Sequence, residues 1–337
     1  MYYMRELILN FWNDVEEALS MDIPEWQLSN LKEKNHLILC GMGGSGAAGG
    51  FLRQIVDFFN NARYHPFFIS QSKEYRLPFL NESKTIVFLS SYSGNTEETL
   101  ACAEDVRHKN LPCVVFSSGG RLLELAAEAD WPYLKLPEGR PPRSCLGWSL
   151  VLQLRAAVCL GILSSELPDL IKKSSLKLKA QQHAIDTDSN DLSYQLTESF
   201  IVIVTDEVLY PVAERWFQQF CENAKSFSHI ALVPEMNHNE LVGWKRLPVN
   251  THVLFLEHEG LNQRVSLRYK FLREYLENKK IKYTRILSPY SDLLSTNFYL
   301  IHFGDLLSDH LAMRNKEDSL EINVINELKC YLDEHRV

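Results

Sequence analysis

The sequence has no Cys-x-x-Cys pair among its seven cysteines and no His-Glu-x-x-His string. Cys40, Cys102, Cys113, Cys145, Cys159, Cys221 and Cys330 are scattered and odd in number. That spacing excludes a zinc framework and a disulfide scaffold. It predicts free thiols in a reducing cytoplasm. His238 and Glu240 form a His-x-Glu string, but the Pro-Cys-x-x-Cys of zinc deaminases does not follow. No metal site is therefore expected. Excess positive charge is also missing. The net charge is -8 and the isoelectric point about 5.8, so no nucleic-acid partner is expected. Long apolar runs are absent as well. The longest, Leu150 to Leu163, is broken by Gln153 and Arg155 and is too short to span a bilayer. The first 21 residues carry Arg5, Glu6, Asp14, Glu16 and Glu17, which is unlike a secretory leader.

What is present reads as a globular chain with room for two domains. Apolar residues make up 45% of it and charged residues 23%. Leu7, Phe11, Val15 and Leu19 recur every four residues and predict an opening helix. Short apolar strands then alternate with helices: His36–Cys40, Phe67–Ser70, Thr85–Ser90, Cys113–Ser117 and Tyr133–Leu136. A second alternation starts at Phe200, with strands at Phe200–Val204, Ile230–Val233, Val253–Leu256 and Thr284–Ile286. Its helices are Tyr210–Ala224, Arg264–Leu276, Phe298–Met313 and Glu321–Leu332. Strands of this kind predict parallel sheets covered on both faces. The fold class is therefore α/β, with two tandem doubly wound parallel-sheet domains. Residues 1–163 form the first domain and 197–337 the second. The polar stretch 164–196 is read as a connecting helix and linker, with Lys172, Lys173, Lys177 and Lys179 on a solvated face.

Two loops stand out. Gly41-Met42-Gly43-Gly44-Ser45-Gly46 follows a buried strand and opens a helix, where free N–H groups and the helix dipole favour an anion. The string also fits Gly-x-Gly-x-x-Gly, the dinucleotide fingerprint. That reading wants an acidic residue at the end of the second strand. Gln71-Ser72 stands there instead, with Glu74 late and beside Lys73. A purely structural turn is the other alternative. The second loop, Ser90-Ser91-Tyr92-Ser93-Gly94-Asn95-Thr96, places four more hydroxyls at a strand's carboxyl end, where open α/β sheets bind ligands. A simple serine cap would need one hydroxyl.

The pair GMGGSG and SYSGNTEET resembles the sugar isomerase (SIS) family of phosphosugar-binding domains. More narrowly, it is similar to bifunctional phosphoglucose/phosphomannose isomerases, which carry two SIS units in one chain. Pro141-Pro142-Arg143, Glu222-Asn223-Ala224-Lys225, Pro234-Glu235-Met236-Asn237-His238-Asn239-Glu240, Gly304-Asp305 and Leu328-Lys329 match in the same order. The stretch Leu306 to Leu311 departs from the family, which has an aromatic after Gly-Asp and then a tyrosine. That departure implies different packing or a different pocket there.

The resemblance implies a metal-independent, cofactor-free aldose–ketose isomerase. It would interconvert glucose 6-phosphate, and mannose 6-phosphate, with fructose 6-phosphate. Gly44, Ser45, Ser91, Ser93 and Thr96 would hold the phosphate. Glu222 would move the proton between C1 and C2, and His238 would open the ring. Arg143 would stabilise the enediolate, and Lys329 would lie near the sugar. The resemblance also implies a homodimer with active sites between domains and shared between subunits, the histidine coming from the partner. Such chemistry needs a carboxylate for the C–H proton, an acid/base for the ring oxygen and a cation for developing charge. The alternatives are a non-catalytic sugar-phosphate-binding module, or an enzyme acting on an amino sugar or heptose phosphate.

Overall fold

The computed structural model describes residues 3–24, 28, 34–60 and 67–335. The chain divides into two compact units. One comprises Leu9–Gln182 and Tyr290–Tyr299, and the other comprises Met1–Ile8, His183–Pro289 and Leu300–Val337. These units are not the contiguous stretches 1–163 and 197–337 expected from sequence. The opening helix breaks at Asn10 into α1 (Met4–Leu9) and α2 (Phe11–Ser20), and the break separates residues that cluster with different units.

In the first unit, β1 (His36–Cys40) leads into α3 (Gly43–Asn60) and β2 (Phe68–Ser72). Then come β3 (Thr85–Ser90), α4 (Glu97–His108), β4 (Cys113–Ser117), α5 (Gly120–Glu128) and β5 (Tyr133–Lys135). A 3-10 turn, Pro142–Cys145, precedes α6 (Leu146–Cys159). The strands form a parallel sheet in the order β2-β1-β3-β4-β5. Every residue of β3 and β4 is buried, because helices cover both faces. The edge strands β2 and β5 are only partly covered. Ile38, Val87, Leu89 and Val115 form one core with Cys102, Val106 and Leu122 from the helices.

The stretch 164–196 is mostly a single helix, α7 (Leu167–Leu196), rather than helix and linker. Its four lysines are exposed as expected. Lys177 pairs with Asp292 at 2.7 Å, and Lys179 sits 3.7 Å from the centre of the Trp12 ring.

The second unit holds β6 (Phe200–Asp206), α8 (Tyr210–Glu222) and β7 (Ser228–Val233). A 3-10 turn, Glu235–His238, and the short α9 (Glu240–Gly243) follow. Next are β8 (Thr251–Glu257), α10 (Gln263–Lys279), β9 (Lys282–Leu287), α11 (Leu293–Asn315) and α12 (Asn323–Glu334). Its parallel sheet has the order β7-β6-β8-β9. Val202, Val204, Val253 and Phe255 pack with Tyr269 and Leu272 beneath them. Among the described residues no helix is long and apolar enough to cross a membrane.

Candidate active site

Strand order places the switch point of the first sheet between β1 and β3. The chain leaves β1 toward β2 on one side, while β3 lies on the other. Ligands of open α/β sheets bind outside the carboxyl ends of strands at such a point. The glycine turn follows β1 and the serine loop follows β3, so both stand at that edge. They are joined directly. The Tyr92 N–H donates to Ser45 Oγ at 2.9 Å, and the Ser90 hydroxyl donates to the Ser45 carbonyl at 3.3 Å.

The serine loop is built to leave a helix start open. Ser91 and Thr96 share a hydroxyl hydrogen bond at 2.8 Å, and Ser91 Oγ accepts the Gly94 N–H at 3.1 Å. Thr96 occupies the cap position of α4, yet its side chain makes no capping hydrogen bond. The first N–H groups of α4 are thus left without a side-chain cap, the condition for meeting an anion. This arrangement argues against the simple serine cap. Ser93 is exposed, and its Oγ accepts the Asn95 N–H at 3.2 Å.

Arg143 is brought to the same place. Gly44 touches its backbone: a Cβ on residue 44 would lie 3.0 Å from both the nitrogen and the Cα of Arg143. Only glycine tolerates that approach without displacing the turn. Arg143 itself is buried, at 3% exposure. Gly44, Ser45, Ser91, Ser93, Thr96 and Arg143 therefore gather on one edge of one unit. The strand that the dinucleotide reading needs ends at Ser72, with Glu74 exposed beyond it.

The serine loop is anchored by a residue to which sequence assigned no role. Tyr92 is 8% exposed. Its phenol donates to the Pro137 carbonyl at 2.8 Å and accepts the Arg140 N–H at 2.9 Å. Burial pushes its pKa up to about 12, so the phenol remains a donor.

The second unit carries the other candidates. Glu222 ends α8 and is partly buried. The Lys225 ammonium donates to the backbone carbonyls of Glu222, Asp318 and Glu321. That ties the segment leading into α12, the helix of Lys329, to the end of α8. Lys329 is exposed.

Helix α8 is held by a buried polar stripe. Arg215, Gln219 and Asn223 recur every four residues and are all buried. The Arg215 guanidinium makes two bonds to Asp305, 2.9 Å from Nε and 2.6 Å from the terminal nitrogen. Gln219 donates to Asp305 at 3.1 Å, and Asn223 donates to Ser308 Oγ at 2.9 Å. Burial raises the Asp305 pKa, opposed by Arg215. The Gly-Asp pair thus acquires a physical meaning. Asp305 anchors the helix of Glu222, and Gly304 admits Trp216 of the same helix. The signal was available in the four-residue spacing of polar side chains beside Val212, Trp216 and Phe220.

His238 lies elsewhere in this unit. It follows the carboxyl end of β7 and is exposed, whereas Glu222 precedes the amino end of β7. The six residues of β7 extend about 20 Å. The two residues therefore flank opposite ends of β7. Near His238, Glu240 binds His229 at 3.0 Å and accepts the Trp244 indole N–H at 3.0 Å. Among the described residues no cluster of three or more His, Cys, Asp or Glu side chains is arranged to hold a metal ion.

Residues 185–332 match the model of the bacterial phospho-glucose isomerase C-terminal SIS domain, and residues 30–129 match the SIS domain. A bifunctional phosphoglucose/phosphomannose isomerase of Caldicellulosiruptor bescii is 30% identical over 88% of this chain and 89% of its own length. The chain belongs to the bifunctional phosphoglucose/phosphomannose isomerase family. Its relative of the same name in Aquifex aeolicus is 29% identical over 92% of this chain and 95% of that protein. A D-glucosamine-6-phosphate 4-epimerase of Sulfolobus acidocaldarius is 30% identical over 67% of this chain and 68% of its own. Among solved structures, the C-terminal domain of glucosamine-fructose-6-phosphate aminotransferase from Francisella tularensis superposes with a TM-score of 0.72. It is 14% identical and covers 95% of this chain and 98% of that one, a likeness of fold.

Proposed function

We propose that this isomerase interconverts glucose 6-phosphate and mannose 6-phosphate with fructose 6-phosphate through an enediolate. The observation that carries the reading is the junction of the Ser45 turn, the Ser91–Thr96 loop and Arg143 on one sheet edge. Hydroxyls and uncapped helix N–H groups suit a phosphate dianion. The buried guanidinium of Arg143 suits the negative charge that develops as a carbonyl becomes an enediolate.

In this reading Gly44, Ser45, Ser91, Ser93 and Thr96 bind the phosphate. Glu222 takes the proton from one of C1 and C2 and returns it to the other. Its helix is clamped by Asp305, which suits a base whose position governs the rate. His238 assists opening of the sugar ring, and Lys329 lies near the ring. Neither a metal nor a cofactor is required.

The protein acts as a homodimer, with His238 serving the site of a second copy. Two observations support this. Glu222 and His238 flank opposite ends of β7. Helix α12 also exposes Val324, Ile325, Leu328, Tyr331 and Leu332, an apolar stripe that water disfavours.

The likeness to the glucosamine-6-phosphate epimerase favours a second reading, action on an amino-sugar phosphate. One assay separates the two. Purified protein in EDTA is given fructose 6-phosphate, and glucose 6-phosphate and mannose 6-phosphate are followed separately. Formation of both is expected. Turnover of glucosamine 6-phosphate with none of fructose 6-phosphate would favour the second reading.

A further inference from the structure

Tyr92 stands inside the phosphate loop, but its side chain points away from the role of a phosphate ligand. Its phenol grips the segment that carries Arg143, through the Pro137 carbonyl and the Arg140 N–H. Its backbone carbonyl accepts the N–H of Ser118 at 3.0 Å and the Ser118 hydroxyl at 2.6 Å. Its N–H donates to Ser45. The polar groups of this residue therefore link the glycine turn, the loop after β4 and the approach to Arg143.

The same segment is held from its other side. The Arg140 guanidinium meets both carboxylate oxygens of Asp14, at 2.8 and 2.9 Å. Asp14 is fully buried on α2 and also accepts from Asn10 at 2.9 Å. Between Arg140 and Arg143 stand Pro141 and Pro142, whose rings fix φ. The Ser144 N–H closes the turn onto the Pro141 carbonyl at 2.9 Å. A displacement at Arg140 is thus passed on to Arg143 rather than absorbed.

We propose that Tyr92 and the Asp14–Arg140 pair are positioning residues for Arg143. They fix the distance between the loop that holds the phosphate and the cation that meets the developing charge. The inference rests on the role given to Arg143 above. Charge stabilisation in a transition state depends steeply on such placement. Phosphate binding does not, because the loop keeps its bonds to Ser45 and Ser118.

The test is Tyr92→Phe in the full-length chain, alone and combined with Arg143→Ala. The expected result is a kcat about 10-fold lower with a KM for fructose 6-phosphate within about twofold, a loss of about 1.4 kcal/mol in transition-state binding. In the Arg143→Ala background the same change should have no further effect, since the two act as one unit. An equal fold loss in both backgrounds, or a lowered melting temperature with full kcat, overturns the proposal. Should Tyr92→Phe fail to fold, the Arg140 series replaces it. Arg140→Lys should recover most of the kcat that Arg140→Ala loses, and equal losses overturn it. Failure of the functional reading looks different: the unaltered chain would be inactive, or Arg143→Ala would leave kcat unchanged.

Discussion

Gly44 packs against Arg143 so closely that a methyl group on residue 44 would sit 3.0 Å from the arginine's nitrogen and Cα and 3.2 Å from the Pro142 carbonyl carbon. The glycine turn and the Pro142-Arg143 backbone are thereby parts of one close-packed junction. Gly44→Ala must push backbone against backbone. The expected outcome is a kcat lowered about 10-fold or more, about 1.4 kcal/mol or above. Steady-state kinetics with fructose 6-phosphate check it, and an unchanged kcat would remove the junction from the account.

Asp305 and Arg215 form a buried pair, at 5% and 2% side-chain exposure. Removing one partner strands the other charge, so Asp305→Ala should cost about 3–5 kcal/mol of stability. Urea denaturation measures this. Gly304→Ala should be at least as damaging, because its Cβ would fall 2.1 Å from the buried Trp216 indole nitrogen.

Burial, with Lys282 nearby, lowers the pKa of His252 from 6.5 to about 4. The folded state keeps this ring neutral, while the unfolded chain binds a proton below about 6.5. The unfolded state therefore gains protons first, and stability falls as pH drops from about 6.5 toward 4. The loss from this one residue is about 3 kcal/mol over that window. His252→Gln should show a correspondingly smaller fall between pH 7 and 4.5 in denaturant titrations. An identical fall would contradict the assignment. The ring accepts or donates a bond to Thr284 at 2.8 Å, which glutamine is long enough to approach.

The apolar stripe of α12 gives a test of assembly. An isolated helix of 12 residues is marginal in water, and this one buries none of its side chains in its own chain. The dimer should be seen by sedimentation at micromolar concentration. Leu328→Glu should shift it toward monomer and reduce activity. A fully active monomer would contradict both the dimer and the shared histidine.

The fold was legible wherever burial on both faces left an unbroken apolar run. Thr85–Ser90 and Cys113–Ser117 were read to the residue for that reason. Ends that mix polar residues were not. Helix α11 begins at Leu293 rather than Phe298, because Ser295, Thr296 and Asn297 look like a loop but are buried. The division into units was hidden for a different reason. The break at Asn10 falls inside a continuous four-residue periodicity. The glycine turn and the serine loop were legible as local motifs, and the family resemblance supplied the proposed roles of Glu222, His238 and Lys329. What local sequence could not supply were partners distant along the chain. Asp14 meets Arg140 across 126 positions, and Arg215 meets Asp305 across 90. The spacing along α8 marks Arg215 as part of a stripe, but neither pair leaves a spacing that names its partner.

Glu222 is proposed to carry the proton between C1 and C2. The most direct measurement is Glu222→Gln with fructose 6-phosphate in deuterated water, following deuterium at C1 and C2 together with substrate binding by calorimetry. The account predicts retained binding, with isomerisation and deuterium incorporation both reduced at least about 100-fold. Incorporation at the rate of the unaltered protein would contradict it and assign the proton transfer to another residue.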